Sequence, residues 1–317
     1  IDFQGALLIC GLMLVLSYIV VYGDYFMWLD SLRIRILIGV AIVLFGLMIC
    51  RLHYYRYPYV ELSLFTRRNV VPILVVTFFT ELALGAEHTM EEILYSEVIR
   101  LEELTKESQY MWALPGMYVG LLLDLYWLKV RRWKIWKLFG IAFVSIALYG
   151  MLMYFTLDMN VNIEQYRLAI FLRGFAYATL SPALMWALNE SVPSLEQFFM
   201  SLFVFNILHM YLAGAAGYGI YSTIFSHFLN ENMMSYGQQL TITHLDMAHF
   251  DLGGYIGNDF LHSMMMVTIK QVYGYVIWFA LSLAVIFMLC DIPAVRTNIR
   301  KVPRWSVYAI EYIAKRR

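Results

Sequence analysis

Eight apolar runs, at about residues 5–22, 34–50, 70–95, 109–128, 135–156, 166–188, 197–225 and 268–290, fill nearly all of this chain. Each supplies the ~20 mainly apolar residues that a helix needs to cross ~30 Å of hydrocarbon. Lipid offers no partner to a bare backbone N–H or C=O, so a spanning segment is either a helix or a strand of a closed barrel. The sequence lacks the short alternating segments of a barrel. It therefore predicts an all-α polytopic membrane bundle of eight transmembrane helices. With 61% hydrophobic and 15% charged residues, a soluble globular fold is excluded.

The net charge is zero, so what matters is where the 23 Lys and Arg fall. Sixteen lie in the segments 51–68 and 129–137 and in the tail after Cys290; five, Arg33, Arg35, Arg100, Lys106 and Arg167, lie on the opposite side. Arg173 and Lys270 fall inside spans. Basic loops stay in the cytoplasm, which puts both ends of the chain there and the stretch 226–266, without Lys or Arg, outside. Cys10, Cys50 and Cys290 sit in or beside spans, with neither a disulfide framework nor a zinc spacing.

The predicted organisation is two helices in 1–50, a cytoplasmic interfacial linker at 51–69, a six-helix bundle over 70–290 and a basic tail at 291–317. The linker is amphipathic, aromatic and basic, which suits a segment lying along the inner membrane surface. Because the apolar run starts almost at Ile1 with no initiator Met, the chain is expected to be a piece of a longer protein.

Three segments carry a pattern: LLICGLMLVLSYIVVYGDYFMWLDS, then YPYVELSLFTRRN, then WALPGMYVGLLLD ahead of a basic stretch. Gly23, Trp28 and Ser31 close the first, Pro58, Leu62, Leu64, Phe65 and Asn69 mark the second, and Gly120, Leu122 and Asp124 follow a Gly-x-x-x-Asp spacing in the third. In this order they resemble the fourteen-helix drug:proton antiporter branch of the major facilitator superfamily, from its seventh helix to its C-terminus. Leu125 and Trp127 depart from that family's loop motif, where Arg and a second Gly stand. The resemblance implies one half of an alternating-access exporter in a bacterial inner membrane, with the bundle at 70–290 as its C-terminal six helices. It also implies a missing six-helix half, protons and a small-molecule substrate as partners, a periplasmic adaptor and outer-membrane channel as further candidates, and Gly120 and Asp124 as a conformational loop motif.

The ionisable residues concentrate in the third run, VVPILVVTFFTELALGAEHTMEEIL. At 100° per residue from Glu81, Thr77, Gly85, His88 and Glu92 fall within roughly 40° of it on one stripe. At ~1.5 Å per residue from Val70, Glu81 lies ~16 Å deep and Glu92 ~33 Å, so Glu81 and His88 are the pair expected to be buried. Low dielectric disfavours an ionised carboxylate, a property suited to a group that loads and releases protons. Permanent interhelical hydrogen bonds are the structural alternative.

Arg173 in the sixth run needs an acidic partner, and Glu81 or Glu92 are the candidates at its depth. Asn206 and His209 in the seventh run are read as a polar wall or as interhelical contacts, and Lys270 and Gln271 as snorkelling or cavity-facing. A rival site is the outer His/Asp group His227, His244, Asp246, His249, Asp251, Asp259 and His262, as a metal-binding enzyme or sensor would have. Its spacing matches no strong ligand signature. A non-transporting receptor or assembly subunit is the third reading. No phosphate loop, Ser/His/Asp constellation, cofactor motif or nucleic-acid surface is legible, so no enzyme activity is predicted.

Overall fold

The computed structural model describes residues 2–55, 58–66, 69–131, 134–158, 163–192, 194–211, 216–239 and 253–289. Among these every regular element is helical, and seven runs are long and apolar enough to cross a membrane. The chain is an integral membrane protein built from helices.

Helices α1 (Phe3–Tyr22) and α2 (Leu32–Tyr54) form a hairpin, joined by a short connection in which Met27 and Trp28 take left-handed backbone angles. Leu12 and Ile19 of α1 interleave with Ile34 and Ala41 of α2. At the open end the Asp2 carboxylate accepts from the Gly5 N–H at 3.0 Å and from Arg51 Nη2 at 2.9 Å, so one side chain caps α1 and ties it to the end of α2. Beyond this seam the pair is largely open, with Ile36, Ile42, Val43 and Leu47 of α2 exposed on the chain. That is the surface expected of helices solvated by lipid.

The linker does more than lie along a surface. Its short 3₁₀ turn Leu62–Thr66 buries Leu64, and Val60 joins the core of the following bundle. Tyr59 stacks on Phe203 at 5.8 Å. Arg56, Arg67 and Arg68 lie outside the described residues.

The bundle comprises α3 (Val70–Ile93), α4 (Glu103–Tyr110), α5 (Ala113–Asp124), α6 (Ile135–Thr156), α7 (Arg167–Ser191), α8 (Leu195–Tyr211), α9 (Gly217–Gln239) and α10 (Gly253–Leu289). Two expected boundaries change. The run expected as one span over 197–225 is described as α8, of 17 residues, and α9, with residues 212–215 between them outside the described residues. The stretch expected as a long outer loop over 226–266 is helical at both ends, through Gln239 and again from Gly253. Apolar length marks only the part of a helix inside lipid, and polar helix formers continue past it because the backbone still satisfies itself. Residues 240–252 and the basic tail 291–317 lie outside the described residues.

Helix pairing in the bundle is set by residue size. α5 and α7 meet through glycine: a Cβ on Gly120 would sit 2.7 Å from the Phe175 carbonyl oxygen, and one on Gly116 or Gly174 would fall closer still to the carbonyls of Phe171 and Ala113. Small residues let membrane helices approach this closely where no hydrophobic force drives them together. α6 and α10 pair by the opposite device. Phe287 stacks on Trp136 at 5.6 Å and on Phe143 at 5.5 Å, while Gly140 and Gly150 receive Met288 and Ile277.

Taken as two triplets, α3/α5/α6 and α7/(α8–α9)/α10, part of the contact set pairs up, while α9·α10 and α7·α8 have no counterpart in α5·α6 or α3·α5 among the larger contacts. Exchanging the triplets maps α5·α7 onto α3·(α8–α9), α6·α7 onto α3·α10, and α6·α10 onto itself.

Candidate functional site

α3 is the centre of this pattern, since α7, α8, α9 and α10 all pack against it. Its buried side chains include Thr77, Thr80, Glu81, Ala83, Glu87, Thr89 and Glu91. Thr77 and Thr89 satisfy themselves by donating to the carbonyls of Ile73 and Gly85, each at 2.9 Å. The carboxylates have no such local solution and must look to other helices.

Glu81 is buried as expected, and its partner is His209 of α8. His209 Nδ1 lies 2.6 Å from Glu81 Oε1, and the Glu81 side chain is 3% exposed against 23% for the imidazole. On the other side of the ring, Nε2 stands 3.4 Å from the Tyr177 hydroxyl. Glu81 Oε2 is buried with no hydrogen-bond partner among the described residues. One proton lies between Oε1 and Nδ1, on either atom according to the charge state. The histidine reaches outward from the packed interior.

Ten residues further along α3, Glu91 makes a different site. Its Oε2 accepts from Arg173 Nη1 and its Oε1 accepts from the Tyr149 hydroxyl at 2.7 Å. The Tyr149 hydroxyl is also 3.0 Å from that of Tyr273, so α3, α6, α7 and α10 meet in one polar knot. The Arg173 guanidinium lies over the Tyr110 ring at 5.5 Å from its centroid, which caps the knot with α4. Lys106 of α4 donates to Glu92 Oε1 at 2.7 Å just outside it.

Several sequence expectations need correction. Arg173 pairs with Glu91, not with Glu81 or Glu92. His88, expected to be buried, lies on the exposed side of α3; Glu92, not expected to be buried, is half-buried and paired with Lys106. The cause is the meridian chosen for the helix: Glu87 and Glu91 lie roughly 240° and 280° round from Glu81, where the neighbouring helices pack, while Glu81 sits at the edge of that buried arc. Of the expected polar wall on α8 only His209 reaches α3; Asn206 is exposed. Gly120 and Asp124 do not stand in a loop. Gly120 is a contact of α5 with α7, and buried Asp124 ends α5 where the chain continues helically through Leu125–Arg131.

In the outer group, His227 faces Glu231 at 3.3 Å across one exposed turn of α9. Asp259 and His262 belong to α10, whereas His244, Asp246, His249 and Asp251 lie outside the described residues. Among the described residues no three His, Cys, Asp or Glu side chains converge as metal ligands would. Nearby, Asn232 of α9 donates to Thr268 Oγ1 at 3.0 Å and to Gln271 Oε1 at 3.2 Å, so Gln271 serves as an interhelical contact.

Sequence reasoning missed Glu87, Glu91, Tyr149 and Tyr273. A signal for the first two was present: Thr77, Thr80, Ala83, Glu87 and Glu91 form a stripe of small and polar residues, the composition of a buried face between membrane helices. No protein-family model matches the sequence, and no curated protein matches it.

Proposed function

We propose that the protein is the C-terminal portion of a proton-coupled secondary transporter, an exporter of small amphiphilic molecules in the bacterial inner membrane with both ends cytoplasmic. The observation that carries the reading is the Glu81–His209 pair. A carboxylate sealed in the bundle shares a hydrogen with an imidazole that still meets the open side of the chain. Such a pair takes up or releases one proton without exposing the carboxylate, which is what coupling to a proton gradient requires.

In alternating-access transporters the substrate and coupling-ion sites lie near the bilayer midplane. Glu81, ~16 Å along α3, stands at that depth. The resemblance of the three sequence segments to the drug:proton antiporters points to amphiphilic compounds as substrate.

The test is efflux of a lipophilic fluorescent cation, ethidium, from cells expressing the full-length protein. Efflux is expected to stop when the pH gradient is collapsed with nigericin and to be lost in Glu81→Gln, with membrane levels unchanged. Efflux by Glu81→Gln at the wild-type rate overturns the role of the pair. A cysteine placed at 209 that no aqueous thiol reagent reaches in the full-length protein overturns the water-accessible side of the reading.

A further inference from the structure

Glu87 has no part in either polar pair, and its surroundings are the least hospitable to a carboxylate on α3. Both of its oxygens are buried, and neither has a hydrogen-bond partner among the described residues. It sits one helical turn from Glu91, with the Arg173 guanidinium acting electrostatically on both carboxyl groups. The charged and titratable groups close enough to act on it electrostatically are Glu91 on its own helix, Arg173 from α7, Tyr149 from α6, Tyr221 from α9 and Tyr273 from α10. One of these is a cation. Arginine does not give up its charge in a protein, and Glu91 already neutralises it with hydrogen bonds from Arg173 and Tyr149. A second ionised carboxylate here would be a buried, unpaired charge, which proteins avoid by protonating the group.

We propose that Glu87 is a proton-binding site, and that Glu87 and Glu91 form a two-position relay in which Arg173 pairs with whichever carboxylate is ionised. In the arrangement described, Glu87 is the neutral acid and Glu91 the carboxylate. In the transfer, the O–H bond of Glu87 breaks with its electron pair left on Glu87, the proton binds a Glu91 oxygen, and the guanidinium moves from Glu91 to Glu87. Atoms and charge balance without a co-reactant. The proton advances one turn, ~6 Å along the helix axis, while the positive charge moves the other way. Tyr221 is not available to stabilise the ionised Glu87, because its hydroxyl donates to the Leu82 carbonyl at 2.8 Å. Arginine is therefore the group that decides which acid holds the proton.

This deepens the transport reading by naming a second proton carrier, but its test needs no substrate. The full-length protein in lipid nanodiscs is compared with single variants by infrared difference spectroscopy at neutral pH, in the region of the protonated carboxyl C=O stretch. Wild type minus Glu87→Gln is expected to show one protonated-acid band that shifts in heavy water; wild type minus Glu81→Gln or Glu92→Gln is expected to lack that band. In Glu91→Gln the band is expected to vanish, because Glu87 becomes the carboxylate that pairs with Arg173. A flat wild type minus Glu87→Gln spectrum overturns the site, and a band that persists in folded Glu91→Gln overturns the relay. Thermal unfolding covers a poorly folding Glu91 variant: Glu87→Gln replaces a neutral side chain with a neutral isostere and should melt with wild type, whereas a large drop in its midpoint overturns the neutral acid. A flat spectrum beside intact ethidium efflux removes Glu87 and leaves the Glu81–His209 reading, and the converse result does the reverse.

Discussion

Two acidic residues on one helix meet opposite fates in this protein. Glu91 is closed in on every side, held by an arginine and a tyrosine and roofed by Tyr110, while Glu81 is closed in except through its partner, an imidazole that remains 23% exposed. The first arrangement fixes four helices against each other. The second leaves the imidazole partly open on the chain, where proton-coupled transport needs a proton to enter. The two acids are equally buried, and what separates them is the exposure of the partner. Breaking either pair leaves a buried carboxyl group, Glu91 or Glu81, that must bind a proton or carry an uncompensated charge; at Glu91 the bonds from two partners, not one, are at stake.

That contrast predicts a ranking. Arg173→Leu leaves Glu91 without its cation and is expected to cost about 3–5 kcal/mol, with much of the loss recovered when Glu91→Leu is added. Unfolding of the full-length protein in bicelles measures both, and a double variant no better than the single one would show the sealed knot to be more than an ion pair. His209→Leu is expected to cost less, about 1–3 kcal/mol for the bond lost at a buried acid. A cost equal to that of Arg173→Leu would erase the distinction between the two sites. Lys106→Met, at the half-exposed rim where Glu92 meets water, is expected to change stability by about 0–1 kcal/mol.

Much of the fold was legible because the bilayer simplifies the problem: apolar length fixes where helices run, and the lack of outside partners for the backbone fixes that they are helices. Six of the expected runs coincide with helical segments to within a few residues at most of their ends, while the last continues well beyond its expected start. The facing of each helix was harder to read. In a soluble helix the apolar stripe announces the core, but lipid and protein interior are both apolar, so α3 offers no such contrast between its sides. The wheel centred on Glu81 therefore selected His88, on the exposed side, and passed over Glu87 and Glu91. Partners from distant sequence were equally hidden. Tyr149 and Arg173 reach Glu91 from α6 and α7, and nothing local to either residue specifies that meeting.

The clasp between Asp2 and Arg51 bears on how the protein is made. Its two ends are 49 residues apart, and they close around a hairpin whose seam contains only its own residues. A unit of that kind is complete as soon as both of its helices have left the ribosome. It can form before any of α3 to α10 has emerged, while the knot at Glu91 must wait for α10, the last of its helices to emerge.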